Sequence, residues 1–274
     1  MVIPPPPLND RSVMLAARSI VFNLLFYLTL AVLVIFGSPA MLGGRRGIFA
    51  LANVWRAASV WLLETICGLK VEYRGLENIP AGGVLIAAKH QSFLETFALL
   101  KYAPDFAIIL KRQLTYIPFF GLYLIVSKQI AIDRARGRQA LQQIEEASRP
   151  VLAAGRQIFI YPEGTRRPPG APPKYKPGVA AIYAANAAPC LPVAVNTGLF
   201  WRRRRFLRRP GVAVIEYLPP IPPGLNREVF AARLQDEIEA ACGRLNAEAV
   251  ARDPTLEAVV EEGASCDRPD AALA

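Results

Sequence analysis

Hydrophobic and polar positions divide the chain into two apolar runs, a body of short alternating runs, and a polar end. Residues 20–36 form an uncharged apolar run of 17 residues. As a helix this run spans ~25 Å, slightly short of a ~30 Å hydrocarbon core. Extension back to Val13 supplies the missing length, with Arg18 placed to snorkel. The alternative is a cleaved signal peptide. Its apolar core is usually shorter, and Gly37-Ser38-Pro39-Ala40 is a poor small-residue cleavage site. A second apolar stretch, residues 48–67, carries Arg56, Glu64, Trp55 and Trp61. It is too polar for a comfortable span and suits the headgroup level, unless it is a core helix of the body. Gly43-Gly44-Arg45-Arg46-Gly47 reads as the turn between the two. The pair is expected as a helical hairpin in one leaflet, or as one span plus a surface helix.

From Lys70 the pattern changes to short β-rich runs separated by turns and helical periods. Val84–Ala88 and residues 106–110, 129–132, 157–161, 191–196 and 212–217 are the expected strands. Most are continuously apolar, as strands covered on both faces are. Helical patterns lie at 137–154, at the Ala-rich 178–187, and at 226–250, where Asn226 is placed to cap the start. Alternating strands and helices predict an α/β fold, a central mixed, largely parallel sheet flanked by helices. Three regions follow: 1–69 as a membrane-anchoring helical segment, 70–250 as the α/β domain, and 251–274 as a flexible acidic tail.

Length and composition narrow the chemistry. The chain has 274 residues, 53% hydrophobic and 20% charged, which excludes disorder and a small disulfide scaffold. Mean hydropathy is +0.27, apolar for a soluble enzyme and polar for a multi-span transporter. There is a single histidine, His90, and the four cysteines are scattered without a CxxC. No metal site is therefore expected. No P-loop and no GxGxxG is present. The net charge is +10, with six arginines between Phe200 and Arg209. Residues 251–274 hold six acids and two bases. A basic body beside an apolar run favours an anionic membrane surface over nucleic acid.

Two loops carry candidate chemistry. Lys89-His90-Gln91-Ser92-Phe93-Leu94-Glu95-Thr96 follows an apolar strand and precedes a helical pattern. A carboxylate five residues after a histidine can fold back onto the ring in such a turn. It then fixes the tautomer and stabilises the imidazolium, the pairing that activates a hydroxyl. A purely structural histidine is the alternative. Tyr161-Pro162-Glu163-Gly164-Thr165-Arg166-Arg167 also follows an apolar strand. Its arginines can grip a phosphate, with Glu163 pairing with one of them; a solvated turn is the alternative.

Together, His-x4-acid and, about seventy residues on, Pro-Glu-Gly-Thr-Arg resemble the PlsC-type glycerolipid acyltransferase family. Two weaker blocks agree. Lys111-Arg112-Gln113-Leu114 with Pro118, Gly121 and Ile132-Asp133-Arg134 is similar to the family's second block, and Leu191-Pro192-Val193-Ala194-Val195 to its fourth. The resemblance implies that His90 is the general base and Glu95 its partner. It implies that Arg166 and Lys111 bind the acceptor's phosphate, while Glu163, Gly164 and Thr165 shape that site. Glu95 departs from the family's usual Asp.

The implied reaction moves a fatty acyl group from acyl-CoA or acyl-ACP to the sn-2 hydroxyl of lysophosphatidic acid, giving phosphatidic acid. No cofactor is expected beyond that co-substrate. The expected partners are a membrane lipid acceptor, the thioester carrier and the anionic membrane surface. The body would face the cytoplasm, at the cytoplasmic membrane in a bacterium. The alternatives are the same chemistry on another lyso-lipid, such as a lyso-ornithine lipid, and a non-catalytic membrane-surface binding protein.

Overall fold

A computed structural model describes residues 10–133 and 136–266. Two helices come first, α1 (Asp10–Phe36) and α2 (Gly44–Leu62). The turn between them is a 3-10 turn, Ser38–Gly43, opened by Pro39, whose missing N–H costs nothing at a helix start. It falls earlier than the glycines suggest: Gly44 to Gly47 form the first turn of α2. A π turn, Leu63–Cys67, ends that helix. Within α1, Ser12–Phe36 is long and apolar enough to cross a membrane.

Seven strands follow: β1 (Leu69–Arg74), β2 (Val84–Ala88), β3 (Phe106–Lys111), β4 (Ile130–Ile132), β5 (Gln157–Ile160), β6 (Cys190–Val195) and β7 (Gly211–Tyr217). They form one sheet in the order β1-β7-β6-β2-β5-β3-β4. Every neighbouring pair is parallel except β6 with β7, so the sheet is mixed and largely parallel, as its apolar strands predict. Strand β1 has no counterpart among the expected strands. It is an edge strand whose Lys70, Glu72 and Arg74 alternate with apolar residues, and it lacks a continuous apolar signal. The interleaved helices are α3 (Leu94–Ala98), α4 (Phe120–Val126), α5 (Arg138–Ala153), α6 (Gly178–Ala185), α7 (Arg227–Arg252) and α8 (Glu257–Ser265). Asn226 caps α7 as expected, its Oδ1 accepting the Val229 N–H at 2.8 Å.

Side chains of β2 alternate between two cores, the period of two of an extended strand. Val84, Ile86 and Ala88 join α1, α2, α3 and α8 through Phe22, Phe26, Phe49, Phe97 and Val259. Leu85 and Ala87 join α5, α6 and α7 through Ile144, Ile182, Leu234 and Ile238. The molecule is thus three layers, helices–sheet–helices. Phe22 and Phe26 of α1 are fully buried, and they pack against Trp201, Phe93 and Phe97. The helices before residue 69 therefore form a layer of the body. One face of α1 stays apolar and uncovered: Leu24 is 67% exposed and Phe36 76%.

The C-terminal segment departs from expectation. Residues 251–252 complete α7, and a 3-10 turn (Pro254–Leu256) and α8 then pack back through Leu256, Val259 and Gly263. Apolar residues spaced inside an acidic stretch are what make it fold. Residues 267–274 lie outside the described residues. The arginine-rich segment is divided as well. Arg208 is buried, donates to Asn23 Oδ1 of α1 at 2.8 Å and stacks over Trp201. Arg202 pairs with Glu262 of α8 at 2.5 Å. Arg203, Arg204 and Arg205 stay exposed. The basic segment and the acidic helix thus partly neutralise each other.

Candidate active site

Because β6, β2, β5 and β3 are adjacent and parallel, their carboxyl ends lie along one edge of the sheet. That edge gathers Thr197 after β6, His90 after β2, Glu163 to Arg166 after β5, and Lys111 at the end of β3. Loops at strand carboxyl ends are the usual place for chemistry in such sheets.

His90 Nδ1 lies 2.8 Å from Glu95 Oε1. The same oxygen accepts the Gln91 N–H at 2.9 Å and the Ser92 N–H at 2.7 Å. Glu95 Oε2 accepts the Thr197 hydroxyl at 2.6 Å. Four donors converge on a fully buried side chain, an arrangement that suits an acceptor-only carboxylate. With Glu95 accepting, Nδ1 carries the ring proton and Nε2 keeps its lone pair. The imidazole stacks on Tyr161, centroids 4.0 Å apart, so its plane is fixed as well. Glu95 sits in the first turn of α3, and its length lets one oxygen reach the ring and both loop amides. Ser92 Oγ accepts the Leu94 N–H at 3.1 Å, steadying that turn.

The second loop is tied to the first by the backbone, with Arg167 N–H donating to His90 O at 2.8 Å. Gly164 has φ 68°, a left-handed conformation that suits glycine, and its N–H closes the turn on Tyr161 O at 2.9 Å. Glu163 does not pair principally with an arginine. Its Oε1 accepts from Lys89 Nζ at 2.8 Å, while Arg167 Nε is 4.0 Å away. Lys89 also donates to Glu239 Oε1 of α7 at 2.6 Å, and Tyr175 donates to that oxygen at 2.9 Å.

The alternation of β2 explains the exchange of partner. His90 follows Ala88 toward α3, and Lys89 follows Ala87 toward α7, where Glu163 meets it. Burial raises the Glu163 pKa while Lys89 draws it back. Burial lowers that of Lys89, but its two carboxylates outweigh this and leave it raised.

Thr165 is exposed and Arg166 half-buried. The Arg166 guanidinium lies over the Phe93 ring at 5.3 Å, and its carbonyl accepts from Arg203 Nη1 at 2.9 Å. Lys111 is exposed. Among the described residues neither Arg166 nor Lys111 is paired with a carboxylate. Asp133 pairs with Arg136 at 3.4 Å, and Arg134 lies outside the described residues. Cys67, Cys190 and Cys242 are buried, and burial raises all three thiols, Cys67 to about 11 and Cys242 to about 12. They pack as small apolar groups.

Contacts thus join His90 and Glu95 to the loop that carries Glu163 to Arg166, whereas Lys111 shares only the edge, two strands along from β2. Sequence reasoning missed Lys89, Glu239, Gln91 and Thr197. Lys89 could have been suspected from its place beside His90. Thr197 follows an apolar strand with no signal of its own. Gln91 Oε1 accepts the Gly198 N–H at 3.1 Å, and a Cβ at Gly198 would lie 2.8 Å from that of Gln91. Glycine is needed there for close approach.

A family profile described as Acyltransferase matches residues 70–196. The chain is 37% identical over 199 residues to the 1-acyl-sn-glycerol-3-phosphate acyltransferase of Pseudomonas aeruginosa, covering 72% of this chain and 77% of that one. It is 28% identical over 173 residues to the protein of that name from Limnanthes alba, covering 62% and 61%. The crystal structure of the 1-acyl-sn-glycerophosphate (LPA) acyltransferase PlsC from Thermotoga maritima matches with a TM-score of 0.69 at 22% identity. It covers 84% of this chain and 96% of that one, a likeness of fold.

Proposed function

The chain belongs to the acyltransferase family, and from that premise we propose that it acylates the sn-2 hydroxyl of lysophosphatidic acid, using an acyl thioester and giving phosphatidic acid. The observation that carries the reading is the His90–Glu95 pair, which leaves Nε2 as a base at the edge where Arg166 and Lys111 offer positive charge. Relatives named for this acceptor support the choice of substrate.

In the proposed reaction the acceptor hydroxyl attacks the thioester carbonyl while His90 Nε2 takes its proton. The imidazolium is stabilised by Glu95, whose two oxygens are already oriented by Gln91, Ser92 and Thr197. The tetrahedral oxyanion collapses, the C–S bond breaks, and the imidazolium returns the proton to the departing sulfur. The products are the ester and a free thiol of coenzyme A or acyl carrier protein. Arg166 and Lys111 hold the acceptor phosphate, and the Gly164 turn fixes where Arg166 stands. The uncovered apolar face of α1 attaches the body to the membrane that holds acceptor and product.

The test is acyl transfer by detergent-solubilised wild type and His90→Ala, offered one acyl thioester with lysophosphatidic acid or a panel of other lyso-lipids. We expect transfer to lysophosphatidic acid that falls ~10²–10⁴-fold in the variant. Undiminished activity in His90→Ala would remove the base assignment. Preference for another acceptor would move the substrate and keep the chemistry.

A further inference from the structure

A second apolar surface lies on the body itself, in the segment that joins β3 to β4. Leu114, Tyr116, Ile117, Phe119, Leu122 and Ile125 are each between 37% and 68% exposed. Six large apolar side chains within twelve residues are far more than the scattered singles of an ordinary surface. The inner side of α4 is fixed: Tyr123 is buried, and its hydroxyl donates to the Val34 carbonyl of α1 at 3.0 Å. Leu122 and Ile125 are left on the outer side. The contact also sets the patch beside the end of α1, where Ile35 and Phe36 are exposed.

The segment itself carries only basic charge, and the first acid after it, Asp133, pairs with Arg136. Lys111 and Arg112 precede the patch, Lys128 follows it, all three are exposed, and no acidic residue occurs from 112 to 132. Phe119 holds φ 60°, an uncommon backbone for an aromatic residue, while its side chain stays 56% exposed.

We propose that residues 114–125 are a second lipid-contacting surface, continuous with the apolar face of α1 and seated in an anionic leaflet. An apolar centre rimmed by bases fits the boundary between acyl chains and anionic headgroups. An anionic leaflet supplies counter-charges to all of the bases at once. Lys111 belongs both to this rim and to the sheet edge that carries His90. Seating the patch therefore turns that edge toward the bilayer, and a lipid acceptor reaches the base without crossing water. This purpose rests on the proposed function; the contact itself does not.

The experiment uses the full chain carrying Cys266→Ser, since Cys67, Cys190 and Cys242 are buried. Leu122→Cys is added and labelled with an environment-sensitive nitrobenzoxadiazole probe. Arg233→Cys, on the outer side of α7, is the control. The protein is placed in vesicles of phosphatidylcholine and phosphatidylglycerol. We expect the Leu122 probe to shift to shorter wavelength, lose fluorescence to acyl-chain nitroxides and resist iodide, with the control unchanged. A vesicle-bound protein whose Leu122 probe remains open to iodide overturns the proposal. So does a probe shielded from iodide but untouched by nitroxide lipids, which would place a second copy on the patch.

Leu122→Asp gives the functional readout. KM for a long-chain acceptor in vesicles is expected to rise on the order of tenfold, as loss of one buried apolar side chain predicts. Turnover of a short-chain monomeric acceptor is expected to stay unchanged. Equal effects on both acceptors would overturn the proposal. Absence of transfer in the wild type would instead sink the proposed function, with the probe still reporting on the surface.

Discussion

At the scale of single residues, the site depends on how donors are shared. Glu95 accepts from His90, Gln91, Ser92 and Thr197. Glu95→Gln preserves the shape but puts an NH2 where one donor now points. We expect kcat to fall ~10²-fold with acceptor KM little changed, read from initial rates at saturating donor. Thr197→Val removes only one of the four donors, so its loss should be smaller. Lys89 holds two carboxylates while nearly wholly buried. Lys89→Met leaves the buried Glu163 with only the Arg167 guanidinium at 4.0 Å, and Glu239 without its cation. A cost of ~3–5 kcal/mol is expected in the denaturant midpoint converted to free energy. An unchanged midpoint would show that the carboxylates find other partners.

At the scale of elements, local rules and packing contribute unequally. Helix α7 begins where Asn226 satisfies the Val229 N–H, so Asn226→Ala should cost ~1 kcal/mol in thermal unfolding. The Gly164 turn is left-handed, and Gly164→Ala adds ~1–2 kcal/mol of backbone strain where Arg166 is positioned. Acceptor KM should rise in that variant more than kcat falls. Helix α1 depends on side chains rather than caps. Phe26 is fully buried among Tyr27, Trp55, Phe93, Phe97 and Trp201. Phe26→Ala should cost ~3–5 kcal/mol, measured by chemical denaturation.

At the scale of the molecule, the first two helices are both a layer of the core and the bearer of an uncovered apolar face. Phe22, Phe26, Phe49, Leu62 and Leu63 belong to the same cluster as the sheet residues Ile86, Phe159 and Val193. Deleting residues 1–67 therefore opens one side of the sheet. We expect the truncated chain to aggregate or lose its cooperative thermal transition. A monomeric, cooperatively melting fragment would show that the remaining layers hold alone.

The amino-acid sequence alone determined the elements with strong local signals. Continuous apolar runs predicted six of the strands and their burial on both faces, and the long helical periods predicted α5, α6 and α7. The two site loops were legible because each places chemistry-bearing residues at a fixed offset after a strand, and an offset survives any tertiary arrangement. Only the tertiary structure decided which distant groups meet. Lys89 selects Glu163 because β2 points alternate side chains to opposite layers, and Glu239 reaches them from a helix far along the chain. Thr197 reaches Glu95 only because β6 lies beside β2. The acidic end was expected to be flexible because charge dominates its composition. Its few apolar residues instead find the core, and burying them outweighs the entropy of ordering the segment.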